Sequence, residues 1–390
     1  MKKKCKLIFA SDWASIRDFG SLMEKDPAAV YGDLAERLSD GDYRIVNLEC
    51  PLHKEPFIVK SGAAFSGEES HISALACIPF DAVICANNHT FDCGKKGFEV
   101  TTDLLRKNGI AFTGAGLDLE EARKVLAVEK NGVRIGIFTL SEGEDCNGAQ
   151  KDRYGVRPWE VELLAGEIRQ RRKEFDLILV SAHCGLEYQA YPSFYVWEAF
   201  RLLAEAGADL IVGHHPHVPQ GMTFFGKTPA YFSLGNFAFY QKTDLYYRKI
   251  GYFLEITFSE EKGLQVEKVP YRITDAGLRL LKGTELAAFE KSFEKLSAPL
   301  ATREGAEKAW NAVLAFNGVE GYCAELEKIL AQLRSDAPKG AAMLRNRVTC
   351  IQHSTQWVDG LTRIADGTIG DVDDSMLALV REFMTKKVSE

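Results

Sequence analysis

A chain of 390 residues, 46% apolar and 26% charged, carries enough hydrophobic material for one large domain with an appendage and excludes a mostly disordered protein. Its 48 basic and 55 acidic side chains give a net charge of −7 with no basic stretch beyond Lys2-Lys3-Lys4. Phosphate neutralisation needs a clustered positive face, so nucleic acid is excluded as a partner. Nine cysteines, an odd number without a CxxC pair, spell neither a disulfide framework nor a thiolate zinc site. Only Leu7-Ile8-Phe9-Ala10 follow the basic start, short of the roughly 7 to 15 apolar residues of a secretory leader. No run nears the roughly 18 apolar residues of a membrane span. The expectation is a soluble, cytoplasmic chain with no membrane anchor of its own.

Through about residue 215, short β-branched apolar runs alternate with longer helical patterns, the rhythm of an α/β sheet protein. Strands are expected at Lys6–Ala10, Tyr43–Val46, Asp81–Cys85, Ala111–Thr113, Val125–Glu129, Val133–Leu140, Leu177–Ala182, Leu210–Val212, Ala230–Phe232 and Tyr252–Phe258. Asn131-Gly132 tolerates positive φ and predicts a tight antiparallel hairpin, which makes the sheet mixed. A second hairpin turns at Lys262-Gly263 into Leu264–Tyr271. Near residue 275 strand signals fade, and apolar residues take helical spacing over Leu280–Leu296, Glu304–Phe316, Glu320–Leu333 and Ala341–Gln352. The chain thus divides into two units: residues 1–274, and a helical extension over 275–390.

The histidines locate the chemistry. Three of the eight fall in Gly213-His214-His215-Pro216-His217, directly after the apolar run Ala208–Val212. Imidazoles delivered on a loop at the carboxyl end of a strand lie where open α/β sheets bind ligands. Other strand ends carry matching types: Asp12, Asn47 and Glu49, Asn87-Asn88-His89, and His183. Any one of these could be a turn former or helix cap. Their joint occurrence on five strands points to mixed imidazole and carboxylate ligation, which suits Mn²⁺, Fe²⁺ or Zn²⁺, with a shared carboxylate holding a pair.

Taken in order, these residues with Asp92 and Gly94, Gly114-Ala115-Gly116, His183 to Tyr188, Gly207-Ala208-Asp209 and Ser233-Leu234-Gly235-Asn236-Phe237 resemble the poly-γ-glutamate capsule-synthesis (CapA-like) family, a branch of the calcineurin-like metallophosphoesterases. The resemblance spans roughly residues 5 to 260. It implies a four-layer α-β-β-α metallophosphoesterase-like sandwich with mixed sheets and a dinuclear site at the sheet edge. Carried over by position, Asp12 would bind the first ion and Glu49 would bridge both. Asn88, His183 and His215 would bind the second, and His217 would return to the first. His89 would stabilise a leaving group, with Asp92 fixing its tautomer. Glu187 and Tyr188, four and five residues past His183, serve either as acid/base or substrate contacts or as a loop salt link.

Two departures qualify the resemblance. The histidine normal two residues after the first aspartate is Ala14 here, and the bridge is Glu49 where the superfamily uses aspartate. Two functions therefore compete: a metal-dependent hydrolase of a phosphoester or a γ-glutamyl, peptide-like anionic substrate, and a non-catalytic accessory protein of capsule production that grips an anionic polymer through the same site. Gly114-Ala115-Gly116 lacks the third glycine of a dinucleotide fingerprint and reads as a turn into a helix capped by Asp118. His53, His71 and His353 are expected at the surface or in packing. Trp310, Phe316, Tyr322 and Trp357 are expected in a core, within a tail that could cover the sheet edge as a lid or form a subunit contact.

Overall fold

The computed structural model describes residues 3–54 and 57–388. Its strands, in chain order, are β1 (Lys4–Ala14), β2 (Tyr43–Leu48), β3 (Ala82–Ile84), β4 (Ala111–Thr113), β5 (Ala115–Gly116), β6 (Leu126–Lys130), β7 (Val133–Ser141), β8 (Gly155–Val156), β9 (Leu177–His183), β10 (Leu210–His214), β11 (Met222–Phe225), β12 (Thr228–Tyr231), β13 (Asn236–Phe239), β14 (Ile250–Ser259), β15 (Gly263–Thr274) and β16 (Gly277–Leu280). One sheet runs β16-β15-β14-β1-β2-β3-β4, with β13 also pairing the far end of β1; the second runs β11-β12-β10-β9-β7-β6. β5 and β8 form a small separate pair. Both large sheets are mixed. β1 to β4 are parallel, as are β7, β9, β10 and β12, whereas β14 to β16, β6 and β11 pair antiparallel.

Strand periodicity makes the layers. Successive side chains point to opposite faces, so Leu7, Phe9, Ile45 and Ile84 of the first sheet meet Ile135, Ile137, Leu179 and Val212 of the second in one buried core. Ile8, Ala10, Val46 and Val83 face the other way, onto helices that contribute Phe19, Met23, Leu75 and Leu105. On the far side, Phe138, Leu140, Ile178 and Val180 meet Leu164, Ile168, Phe200 and Leu203. Three apolar cores thus separate four layers, helix-sheet-sheet-helix, the metallophosphoesterase-like sandwich expected from the resemblance.

The hairpin between β6 and β7 turns at Asn131 and Gly132, both at positive φ (51° and 77°), and Asp118 caps its short helix by accepting from the Glu121 amide at 2.8 Å. β11, β13 and β16 went unread because each is four residues long without clean alternation. β16 carries the first sheet on to Leu280, and helices come after it at Gly283–Ser297, Arg303–Ser335, Ala337–Thr349, Ile351–Ala365 and Asp374–Thr385. Gly318, at φ 56° and ψ −173°, breaks the second of these between the two predicted segments. The sequence pattern over Ala341–Gln352 ran across the real helix end at Thr349, because Cys350 is extended and starts a new helix. These helices share the main cores: Phe289 and Phe293 join the inter-sheet layer, and Leu296, Trp310, Val313, Val380 and Phe383 cover the second sheet. Among the described residues no helix is long and apolar enough to cross a membrane.

Candidate metal centre

The parallel strands of both sheets end on one edge, and their last residues converge there. β1 shifts register between Ala10 and Asp12, which turns Asp12 toward Asn47 of β2 and Asn236 of β13. Asn47 Nδ2 donates to Asp12 Oδ1 at 2.8 Å, and Asn87 Nδ2 donates to Asn47 Oδ1 at 3.1 Å. This carboxamide relay ties the ends of β1, β2 and β3 together. Glu49 follows β2 directly, its amide donating to the Trp13 carbonyl at 2.8 Å. His183 and His214 close β9 and β10 in paired register.

Side chains of all the strand-end residues face one another. Asp12 Oδ1 is 3.3 Å from His214 Nδ1 and Asp12 Oδ2 is 3.5 Å from His217 Nδ1. Glu49 Oε1 is 3.4 Å from His183 Nε2 and 3.7 Å from His217 Nε2. Asn88 Oδ1 lies 3.0 Å from His183 Nε2. One ligand atom each from Glu49, His215 and His217 falls within a 4.8 Å cluster. His215 and His217 hold their places at positive φ (96° and 57°), a conformation costing a side-chain-bearing residue on the order of 1–3 kcal/mol.

The donor set fits divalent ions. Asp12 Oδ2, both Glu49 oxygens and His215 Nδ1 are buried without a hydrogen-bond partner, a costly state for polar atoms that a cation would relieve. Burial works against the charge on Asp12, but the His214 and His217 imidazoles hold its carboxyl well below the usual carboxylate range. Burial, and then the nearby Asp12, pushes the Glu49 carboxyl well up. Burial drives the His183 imidazole down and takes His215 to about 4, leaving both as neutral ligand forms. His217 moves the opposite way, because Glu49 and Asp12 outweigh its burial.

His89 sits beside the cluster with its Nδ1 2.6 Å from Asp92 Oδ2, an arrangement that keeps the ring proton on Nδ1. Asp92 is buried, and its other oxygen accepts from Lys60 Nζ at 2.8 Å. Burial, then the Lys60 charge, lowers His89 below the ordinary imidazole value. The Phe65 ring stacks on His89 with centroids 4.1 Å apart. Glu187 lies at the rim, its side chain 45% exposed and Oε1 3.9 Å from His217 Nε2. Tyr188 stands next to it, 5.9 Å from the His217 ring and covered by the Arg248 guanidinium at 3.6 Å.

Several participants escaped the sequence reading. His214 is not a bystander in its motif: it is fully buried against Asp12 and lies 3.3 Å from Ser11 Oγ. Asn236, part of the motif Ser233 to Phe237, places Oδ1 2.8 Å from His217 Nδ1. Glu142 and Glu144 come just after the end of β7, so the rule that found the other strand ends points to them too. Glu144 Oε2 accepts from Asn88 Nδ2 at 2.5 Å. Burial raises Glu142 to about 8, and the Tyr195 hydroxyl donates to it. Lys60 gives no such signal, lying in a loop far from any strand. His353, expected at the surface or in packing, has Nε2 3.4 Å from Glu144 Oε1.

A four-layer sandwich with acids and imidazoles gathered at its sheet edge defines a class, and comparison with known proteins gives the family. The model of the bacterial capsule synthesis protein family PGA_cap matches residues 6–241, more than half of the chain, and the chain belongs to that family. It is 35% identical over 173 residues to the PGA biosynthesis protein CapA of Bacillus subtilis, covering 44% of this chain and 45% of the relative. It is 28% identical over 221 residues to the capsule biosynthesis protein CapA of Bacillus anthracis, covering 54% of each. A probable polyglutamine synthesis accessory protein of Mycobacterium tuberculosis is 26% identical over 212 residues, 50% of this chain and 55% of that protein. The matches thus span about half the length of these curated relatives. Among solved structures, the Haemophilus influenzae NAD nucleotidase overlaps 75% of this chain and 56% of its own at a TM-score of 0.43 and 13% identity.

Proposed function

We propose that the chain is a metal-dependent hydrolase acting on an anionic substrate, a phosphoester or a γ-glutamyl, peptide-like group. The observation that carries this reading is the set of buried, unpartnered ligand atoms on Asp12, Glu49 and His215. Two divalent ions, of Mn, Fe or Zn, would supply Lewis acidity and offset substrate charge there. Asp12, Glu49 and His217 would hold one; Glu49, Asn88, His183 and His215 would hold the other.

The remaining residues act on the proton and on the substrate's charge. With its proton fixed on Nδ1 by Asp92, neutral His89 keeps Nε2 free to take up a proton and return it to a leaving group. Phe65 shields one face of that ring from water. Arg17 lies against the Phe65 and Phe239 rings, 5.5 and 6.0 Å from their centroids, and with Arg248 it sets positive charge at the rim, complementary to an anion. Glu187 serves as a substrate contact or auxiliary acid/base beside His217.

Ala14 favours a second reading, in which the site grips an anionic polymer without turnover. Titration with Mn²⁺ or Zn²⁺, combined with assays on bis(p-nitrophenyl) phosphate and γ-glutamyl p-nitroanilide, separates the two. The hydrolase reading expects turnover that falls roughly 10²- to 10⁴-fold in His89→Ala with metal uptake unchanged. Metal uptake without turnover on either substrate transfers the case to the binding reading, and no uptake at all sinks both.

A further inference from the structure

The two helices that meet at Cys350 present an inverted surface to the rest of the molecule. Helix Ile351–Ala365 buries only Gln352 and Gly360, and in helix Ala337–Thr349 Asn346 is completely buried beside Gly340, Ala342 and Met343. Val348 and Val358 are meanwhile 64% and 63% exposed. A helix held by apolar packing would turn those valines inward and its amides outward. Burying amides is unfavourable unless each finds partners, so the partners explain the arrangement.

Those partners are the surroundings of the metal ligands. One end of the Gln352 amide reaches His215 Nε2 at 3.1 Å, Glu142 Oε2 at 2.7 Å and the Gly185 carbonyl at 2.6 Å. The nitrogen occupies that end, where an oxygen would face only acceptors, and the amide oxygen accepts from His353 Nε2 at 3.0 Å. His215 Nδ1 is the ring's unpartnered nitrogen. Asn346 Nδ2 donates to Glu144 Oε1 at 3.0 Å and to Ser61 Oγ at 2.9 Å, while its Oδ1 accepts from the Asp145 amide at 2.9 Å. With His353 Nε2 3.4 Å away, Glu144 is fixed as the acceptor for Asn88 Nδ2, which leaves Asn88 Oδ1 facing His183. Lys339 Nζ donates to the Lys60 carbonyl at 2.9 Å, securing the loop whose lysine pairs with Asp92.

We propose that the carboxyl-terminal helices complete the metal centre, with Gln352 as the positioning residue for His215 and Asn346 as the positioning residue, through Glu144, for Asn88. The inference rests on the metal-site reading above and extends it to residues beyond 241, where the match to the family model ends. Metal ligands are typically held in place by outer hydrogen-bond partners, and loss of such a partner typically costs about 10- to 100-fold in metal affinity.

The test is cobalt(II) titration of the full chain, read by calorimetry and by the visible absorption bands of the bound ion. Gln352→Met and Asn346→Leu, close in shape but unable to make these hydrogen bonds, are expected to weaken cobalt binding about 10- to 100-fold and to shift the bands. Gln352→Glu, which would set a carboxylate against Glu142 and the Gly185 carbonyl, does not restore the affinity. Val348→Ser, on the solvent side of the same helix as Asn346, leaves binding and spectrum at the wild-type values. Wild-type affinity and spectrum in both Gln352→Met and Asn346→Leu would overturn the proposal, as would loss of native circular dichroism in both, since these residues would then hold the fold and not the site. A wild-type chain that takes up no cobalt fails earlier, on the metal reading itself, and the two failures are told apart by that control.

Discussion

The sheet edge and the carboxyl-terminal helices reach the same centre by opposite means. At the edge, each functional side chain follows a buried strand whose neighbours fix its position to within one register step, as His183 opposite His214 illustrates. In the tail, Asn346 and Gln352 reach the centre through hydrogen bonds, on helices that bury Ala342 and Met343 but leave Val348 and Val358 largely in water. Position at the edge is inherited from a packed core; position in the tail depends on polar partners being present. Changes at the edge should therefore act in an all-or-none way, and changes in the tail by degrees.

The sharpest break in that contrast would come from Glu49→Ala. It removes a carboxylate whose Oε1 lies 3.4 Å from His183 and 3.7 Å from His217, and the expected outcome is complete loss of tight metal uptake by calorimetry with the fold retained. A protein that still binds two ions tightly would show that Glu49 does not bridge. Lys60→Met comes next. It leaves Asp92 buried without its cation, for which about 3–5 kcal/mol of stability is lost when one partner of a buried pair is removed; urea unfolding reads it. Gly213→Ala sharpens the edge side alone. A Cβ there would stand 2.0 Å from the Phe232 carbonyl oxygen, so β10 and the adjoining chain must part, at a cost of roughly 1–3 kcal/mol.

A further test concerns Glu142, where edge and tail touch. Burial raises its carboxyl to about 8, so the folded state holds a proton that the unfolded chain has already released above the ordinary glutamate value. Its contribution is fully present below that ordinary value and is lost as pH rises through 8. Wild-type stability should accordingly fall between about pH 5 and pH 8 relative to Glu142→Gln, whose neutral amide does not titrate. Parallel pH–stability curves for the two proteins would show that Glu142 is charged in the fold.

The edge was legible because strands announce themselves by apolar runs, and their ends by the acid, amide or imidazole that comes next in the chain. Asp12, Glu49, Asn88, His183, His215 and His217 could each be picked out from position along the chain, and the layers could be drawn from alternation. Glu142 and Glu144 obey the same rule after β7, but no imidazole beside them in the chain marks them out. Lys60, Asn346 and Gln352 had no comparable mark. Each is a polar residue in a loop or on a helix face, and its meaning comes only from residues 28 to more than 200 positions away, contacts that no local periodicity encodes. The helix break at Cys350 was hidden for a related reason: helical spacing continues across it while the backbone does not.

β1 has β2 on one flank and β14 on the other, with β13 beyond. During synthesis β1 thus finds its β14 partners only once residue 259 has been made, so the nascent chain carries an open, apolar ribbon until then. Cutting the gene at residue 241 would freeze that condition, because β14 would be missing and the bare flank of Lys4 to Phe9 could pair with other molecules.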